Sequence, residues 1–389
     1  MRSAGSTRGG RMLGALAAGT LLCLGAAVAP ANAGAAGAAA EAADAGYVVV
    51  FKDGAHPDVA DAYGVRVLKR YGHALDGALV TGGDAQIRRL AADPGVRSVE
   101  RNAPLHRGRP GHPAGGAAAT CGLDRIDQPA LPLDGSYTAP RGGGRGVDVY
   151  LVDTGIDYGH PDLGHRARFG FDAFGGDGSD DNGNGTHMAG IIGGTRYGVA
   201  KKARLVSVKV LDKDGGGSID GVLDGIEWIT QHARKPAVVN WVIGLPATDA
   251  LDEAVRTSMA SGVTYVFEAG ADGADVADAS PARVAEGITV GASDCDDRVA
   301  DFSNHGPGLD LYAPGVDIAS DWPGGGTSTQ SGTTVSAAFA SGAAALYLGE
   351  HRGAGPRRVG EALGRAAAGD ALSGVPADGS PNRLLQVPR

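Results

Sequence analysis

Cysteine is scarce in this chain, three residues in 389. That is too few to staple a fold by a disulfide network, so stability has to come from a buried core. Aromatic residues make up only 5% of the chain, which leaves Ala, Val, Leu and Ile to build that core. No basic excess exists either: 35 Lys and Arg against 44 Asp and Glu give a formal charge of -9, and nucleic acid loses its electrostatic footprint. A membrane anchor needs about 20 apolar residues without a cleavage signature. The N-terminal run Met12–Val28 instead follows Arg2, Arg8 and Arg11 and leads to Ala31-Asn32-Ala33, so residues 1–33 read as an export signal rather than an anchor.

What the chain does have is glycine, 66 residues, and 43% hydrophobic residues, the composition of a globular protein with many tight turns. Cys23 leaves with the signal, which sends Cys121 and Cys295 to an oxidising compartment. Whether they pair or remain two buried thiols is open at this level.

After a spacer at 34–46, residues 47–105 predict a small α+β unit of ferredoxin-like type. Its segments are the strand Tyr47–Phe51, a strand-like segment ending near Val67, Leu79-Val80, the helical Asp84–Ala92 and Val96–Glu100. Residues 106–120 have linker composition. From Gly146 onward, near-continuous apolar strands such as Val147–Val152, Leu205–Leu211 and Ala237–Ile243 alternate with helices such as Ile219–His232 and Ala250–Ser261. That alternation predicts a parallel sheet with helices on both faces, with sites gathering at the carboxyl ends of the strands. The Ala-rich stretch 331–349 predicts a helix packed on most sides, with Thr333 and Thr334 at its N-terminus.

Three residues stand out at such positions: Asp153 at the end of LVDTG, His187 in NGNGTHMAG, and Thr334 in SGTT. Taken singly, each has an ordinary explanation as a turn residue, a partly buried histidine or a helix cap. Taken in order, a carboxylate, an imidazole and a hydroxyl at a helix start suit nucleophilic acyl transfer. The hydroxyl attacks a carbonyl, the imidazole takes its proton, and the carboxylate holds the imidazole.

With LDRID at 123–127, LVDTGID at 151–157, GTHMAGIIGG at 185–194, SPARVAEGITVGASD at 280–294 and FSNHGPGLDLYAPG at 302–315, the chain resembles the subtilases, and within them the proteinase K-like secreted enzymes. The resemblance covers nearly all of 121–389. It implies a serine-type endopeptidase fold acting on polypeptides, and an inhibitory propeptide at 47–105. Monomeric behaviour and an extracellular location are expected with it.

The departures from that pattern define the expectation. Thr334 stands where the family has its serine nucleophile, and Ala271 in YVFEAGADG where it has the asparagine that donates to the oxyanion. In subtilisin, a relative by this resemblance, loss of that donor costs about 10²–10³ in turnover, and loss of the nucleophile on the order of 10⁶. Ser336, two positions on, is turned roughly 200° around the helix and cannot substitute. Asn184 stands where a histidine usually precedes Gly-Thr-His, and Ala338-Phe339 replaces a Pro-His pair.

Glu268 replaces a small residue on the wall that receives a substrate side chain. Gly215, Gly216 and Gly217 on one side, and Val242, Ile243 and Gly244 on the other, are expected to hold an extended peptide by main-chain pairing. No cofactor is needed for the chemistry. The resemblance implies a structural calcium on the Asp310 carboxylate and the carbonyls of Ala285 and Gly287. The acidic loops at 177–181 and 294–297 read as solvated turns. The functional expectation is a secreted peptidase-family protein whose hydrolytic machinery is impaired. An active enzyme using Thr334, and a non-catalytic peptide- or protease-binding decoy, are the alternatives.

Overall fold

The computed structural model describes residues 46–54, 58–106 and 121–388. The expected export signal and most of the expected linker lie outside the described residues.

The N-terminal part contains β1 (Tyr47–Phe51), α1 (Val59–Ala62), β2 (Arg66–Tyr71), β3 (Gly77–Thr81), α2 (Asp84–Ala91), β4 (Val96–Arg101) and β5 (Pro104–His106). Four of these strands make an antiparallel sheet in the order β2-β3-β1-β4. Successive residues of a strand face opposite ways, and β1 uses that period to serve two cores. Val49 and Phe51 join a small cluster with Ile87 and Leu90 of α2, whereas Val48 and Val50 join the main core of the molecule. With Tyr71, Leu75, Leu79 and Leu105, this strand fastens the N-terminal layer to the main core.

The larger part runs α3 (Cys121–Ile126), β6 (Asp148–Asp153), β7 (Ala167–Asp172), α4 (Asn184–Gly193), β8 (Arg204–Lys209), β9 (Gly216–Ser218), α5 (Ile219–His232), β10 (Ala237–Trp241), β11 (Leu245–Pro246), α6 (Asp249–Ala260), β12 (Thr264–Glu268), β13 (Ala279–Ser280), β14 (Ile288–Ser293), β15 (Leu311–Pro314), β16 (Ile318–Trp322), β17 (Gly326–Gln330), α7 (Thr333–Glu350), α8 (Pro356–Ala366), β18 (Ala368–Gly369) and β19 (Arg383–Leu384). Nine strands form one sheet, β18-β19-β15-β14-β12-β10-β6-β8-β7, parallel apart from the β18–β19 edge. Every residue of β6, β10, β12 and β14 is buried, as strands covered on both faces require.

Central helix α7 is buried from Val335 to Leu348, and its small residues are what let it lie so deep. A methyl group added at Gly342 would come within 2.6 Å of Val199 Cβ. The carboxyl ends of β6 and β12, the start of α4 and the start of α7 carry the residues singled out above. The hairpin β16–β17 packs over α4 and leads directly into α7; it was not anticipated from the sequence.

Candidate active site

Asp153 closes β6 and is fully buried. Its carboxylate accepts the Thr154 N–H at 2.7 Å, and both of its oxygens accept the side-chain amide of Asn184 at 2.9 Å. Asn184 is the first residue of α4, presented after Gly183, whose φ of +115° favours glycine. The turn ahead of the helix is held by Asp180, which accepts the N–H groups of Gly183 and Thr186 and the hydroxyls of Thr154 and Thr186. In the same loop, Asp177 closes a turn on Ser179 and Asp181 pairs with Lys209. Asp294 and Asp297 do comparable work, on Arg298 N–H and on the buried Arg125 guanidinium.

The structure corrects the expected partnership between Asp153 and His187. His187 lies one turn further along α4 and is fully buried. Its Nε2 faces the carbonyls of Ile318 and Ser328, each at 3.2 Å, and its Nδ1 has no hydrogen-bond partner among the described residues. Two carbonyl partners make Nε2 the protonated nitrogen, and burial pulls the imidazole pKa down to about 4. Both ring nitrogens are thus accounted for, so neither bonds Asp153 and neither bonds the Thr334 hydroxyl. Three helical positions carry a residue about 4.5 Å along the axis, enough to take His187 past the strand end into the core beneath the hairpin. The residue at the carboxylate is Asn184.

Thr334 sits half-buried in the first turn of α7. Its neighbour Thr333 is buried, donates its hydroxyl to Glu268 Oε2 at 3.0 Å and accepts the Gly270 N–H at 3.2 Å. Ser336 bonds the Ala313 carbonyl at 2.9 Å inside the core, facing away from Thr334 as its helical position requires. Glu268, Gly270 and Ala271 line a cavity of about 290 Å³ with Gly244, Asp272 and Asn304. Ala271 brings a methyl group to that wall and no side-chain donor.

Of the two expected peptide-holding edges, one is engaged. Gly216 and Gly217 pair antiparallel with His106 and Leu105 of β5, and Ser218 with Pro104; Gly215 turns the chain before them at φ +77°. The N-terminal part reinforces this strand addition. Asn102 exchanges hydrogen bonds with Asp220 at 2.8 and 3.0 Å, and Glu100 accepts the first N–H groups of α6. Leu105 is buried. On the opposite side, Val242 and Ile243 are buried and lie outside the strand ladders, while Gly244 opens onto the Glu268 cavity.

Ala285, Gly287 and Asp310 line one larger cavity of about 850 Å³. One Asp310 oxygen accepts the Thr289 N–H at 2.8 Å. The donor set expected for calcium here is one carboxylate and two main-chain carbonyls, and the same cavity is also lined by Arg256, Arg357, Arg365 and Arg383. Elsewhere Cys121 and Cys295 form a disulfide, with Cα atoms 6.1 Å apart, which settles the question their sequence left open.

Comparison with known proteins follows the same lines. Residues 144–384 match the subtilase family. The chain is 45% identical to an extracellular serine proteinase of Thermus sp. (strain Rt41A), over 84% of this chain and 78% of that protein. It is 40% identical to alkaline serine exoprotease A of Vibrio alginolyticus, over 83% of this chain and 60% of the relative. Its fold superposes on the crystal structure of a cold adapted subtilisin-like serine proteinase with a TM-score of 0.67 and 42% identity, covering 70% of this chain and 99% of the other. With a parallel sheet carrying Asp153 at a strand end, a threonine opening the central helix and a match across most of the larger part, the chain belongs to the subtilase family.

Proposed function

We propose that this chain is an exported subtilase that engages extended peptide backbone but does not hydrolyse it. The observation that carries the reading is the Asn184 amide on both oxygens of Asp153. An amide nitrogen has no basic lone pair near neutral pH, so the Asn184 side chain that meets the carboxylate cannot take a proton from Thr334. Thr334 adds a β-branched methyl to a nucleophile already without a base, and Ala271 offers no hydrogen bond to an oxyanion. The proton path is broken at the base, the nucleophile is crowded and the oxyanion donor is missing.

Export is supported by the signal-like N-terminus and by a relative named an extracellular serine proteinase. Among the described residues no helix is long and apolar enough to cross a membrane. Strand addition at Gly216–Ser218 supports the peptide-binding half of the proposal, its partner here being Pro104–His106 of the same chain. Without self-cleavage the N-terminal part stays attached, as an inhibitor-like layer that is never shed. A structural calcium at Asp310, Ala285 and Gly287 belongs to the same proposal. There it would crosslink the 285–287 and 310 segments and supply no step of chemistry.

Restoration tests the functional reading: Asn184→His, Thr334→Ser and Ala271→Asn together should create peptide hydrolysis and labelling of residue 334 by a fluorophosphonate, with the unaltered chain showing neither. Labelling of Thr334 in the unaltered chain would instead favour an active threonine enzyme. Hydrogen-exchange protection of 104–106 in the intact chain, lost in Gly217→Pro, would support the binding role.

A further inference from the structure

Away from the Asp153 site, two carboxyl groups meet in the interior with no cation bonded between them. Asp321, on β16, is fully buried, and neither of its oxygens has a hydrogen-bond partner among the described residues. Asp162, in the single turn of 3₁₀ helix at Pro161–Leu163, buries its Oδ2 equally unpartnered, while its Oδ1 accepts the Arg196 N–H at 2.8 Å.

Both groups face α4 at points cleared by glycine. An added Cβ at Gly190 would meet Asp321 Oδ2 at 2.8 Å, and one at Gly194 would collide with Asp162 Oδ2. Both lie against the C-terminal end of α4, and His160 meets both segments, its Nδ1 3.6 Å from Asp321 Oδ2 and 3.3 Å from the Asp162 N; the Asp162 carboxyl lies near enough to act on Asp321 by charge and by side-chain hydrogen bonding. A buried carboxylate without a partner is costly to keep ionised, and two side by side are more so. A proton held between them removes both the charge and the missing hydrogen bond.

The surrounding groups leave that proton as the economical solution. From the turn, His160 lies 3.6 Å from Asp321 Oδ2 through Nδ1, but the same Nδ1 accepts the Asp162 N–H at 3.3 Å and Nε2 lies 3.0 Å from the Gly326 carbonyl, the pattern of a neutral ring. Arg166, on the strand side, spends its guanidinium on the carbonyls of Gly193, Ala203 and Asp162. Lys201 bonds the carbonyls of Thr195 and Arg196 and acts on Asp162 only from a distance. The α4 face contributes no charge, only Gly190 and Gly194.

We propose that Asp162 and Asp321 share one proton, and that this proton is a pH-set clamp holding the β16–β17 hairpin onto the 160–163 turn and α4. The position of the hairpin gives the clamp its reach. Its strands supply the Ile318 and Ser328 carbonyls that hold His187, Ser320 donates to the His187 carbonyl, and Gln330 is three residues from Thr333 at the head of α7. Desolvation, followed by the charge of Asp162, raises the Asp321 pKa to about 7. Because this pKa is raised, the closed form keeps its proton below about pH 7 and is lost as the pH rises through that value.

Hydrogen exchange with mass spectrometry on the full chain, corrected for intrinsic rates, tests this. Exchange across 318–330 should rise about tenfold between pH 6 and pH 8, while β10 and β12 stay unchanged. Asp321→Asn, which keeps the hydrogen bond without a titrating group, should abolish the rise, and Asp162→Asn serves as a second variant should the first fail to fold. Protection in 318–330 that ignores pH would overturn the proposal. So would an unaltered pH dependence in both variants, or protection that follows added calcium, sodium or potassium at fixed pH rather than pH itself.

Discussion

Single side chains decide the chemistry, and the most telling pair is Asn184 and His187. Sequence motifs made Asp153 and Thr334 legible, because each sits beside a turn that pins it to a strand end or a helix start. They did not say which of two residues three apart on one helix meets the carboxylate. Both lie near the same face, and only the depth of α4 under the hairpin separates them. His187→Ala should therefore leave the hydrolysis rate of the restored triple variant within about threefold, whereas removing a true base would cost on the order of 10² or more. Steady-state kinetics on the two proteins checks this.

The same histidine makes a stability prediction. Its folded pKa of about 4 lies below the ordinary 6.5, so between those values the unfolded chain binds the extra proton and stability rises with pH. Its contribution, on the order of 3 kcal/mol, is complete above pH 6.5 and lost as pH falls toward 4. Denaturant melts of the native chain and of His187→Gln across that window should differ in slope. Thr333→Ala should cost about 1–3 kcal/mol, because it strips a partner from the buried Glu268 carboxylate and from the Gly270 N–H.

Among elements, the strands of the large sheet and the central helix were readable because their periods are strong. Continuous apolar runs gave β6, β10 and β12, and the Ala-rich stretch gave α7. The β16–β17 hairpin was not readable, since IASDW is short and mixes apolar with polar residues while GTSTQ is short, polar and partly exposed, with no alternation to mark them. Strand addition by β5 was equally hidden, as three residues carry no periodicity and the pairing lies far off in sequence. Its strength is testable, because Leu105 is buried in that ladder. Leu105→Ala should destabilise the chain by about 2–5 kcal/mol, and limited proteolysis should then cut the N-terminal part first. Gly342→Ala should be destabilising by about 1–3 kcal/mol, since the new methyl meets Val199 in the buried packing around α7. Thermal melts of these two variants compare an edge contact with a core contact directly.

At the scale of the whole molecule, an N-terminal sheet shares its first strand with the main core and lays its final strand across the groove of the larger part. In a protein able to cleave itself that arrangement would be transient, and here it is expected to persist. Composition and motif order made the subtilase fold legible from the sequence. That Asn184 rather than His187 meets Asp153 was not, because it depends on a contact between residues 31 apart that only the folded chain reveals. The most direct measurement is intact-mass analysis of the purified, exported chain, beside that of the Asn184→His, Thr334→Ser, Ala271→Asn variant made the same way. The account predicts one mass retaining the N-terminal part for the unaltered chain, and cleavage within 106–120 for the variant. Spontaneous cleavage of the unaltered chain in that segment, stopped by Thr334→Ala, would contradict it.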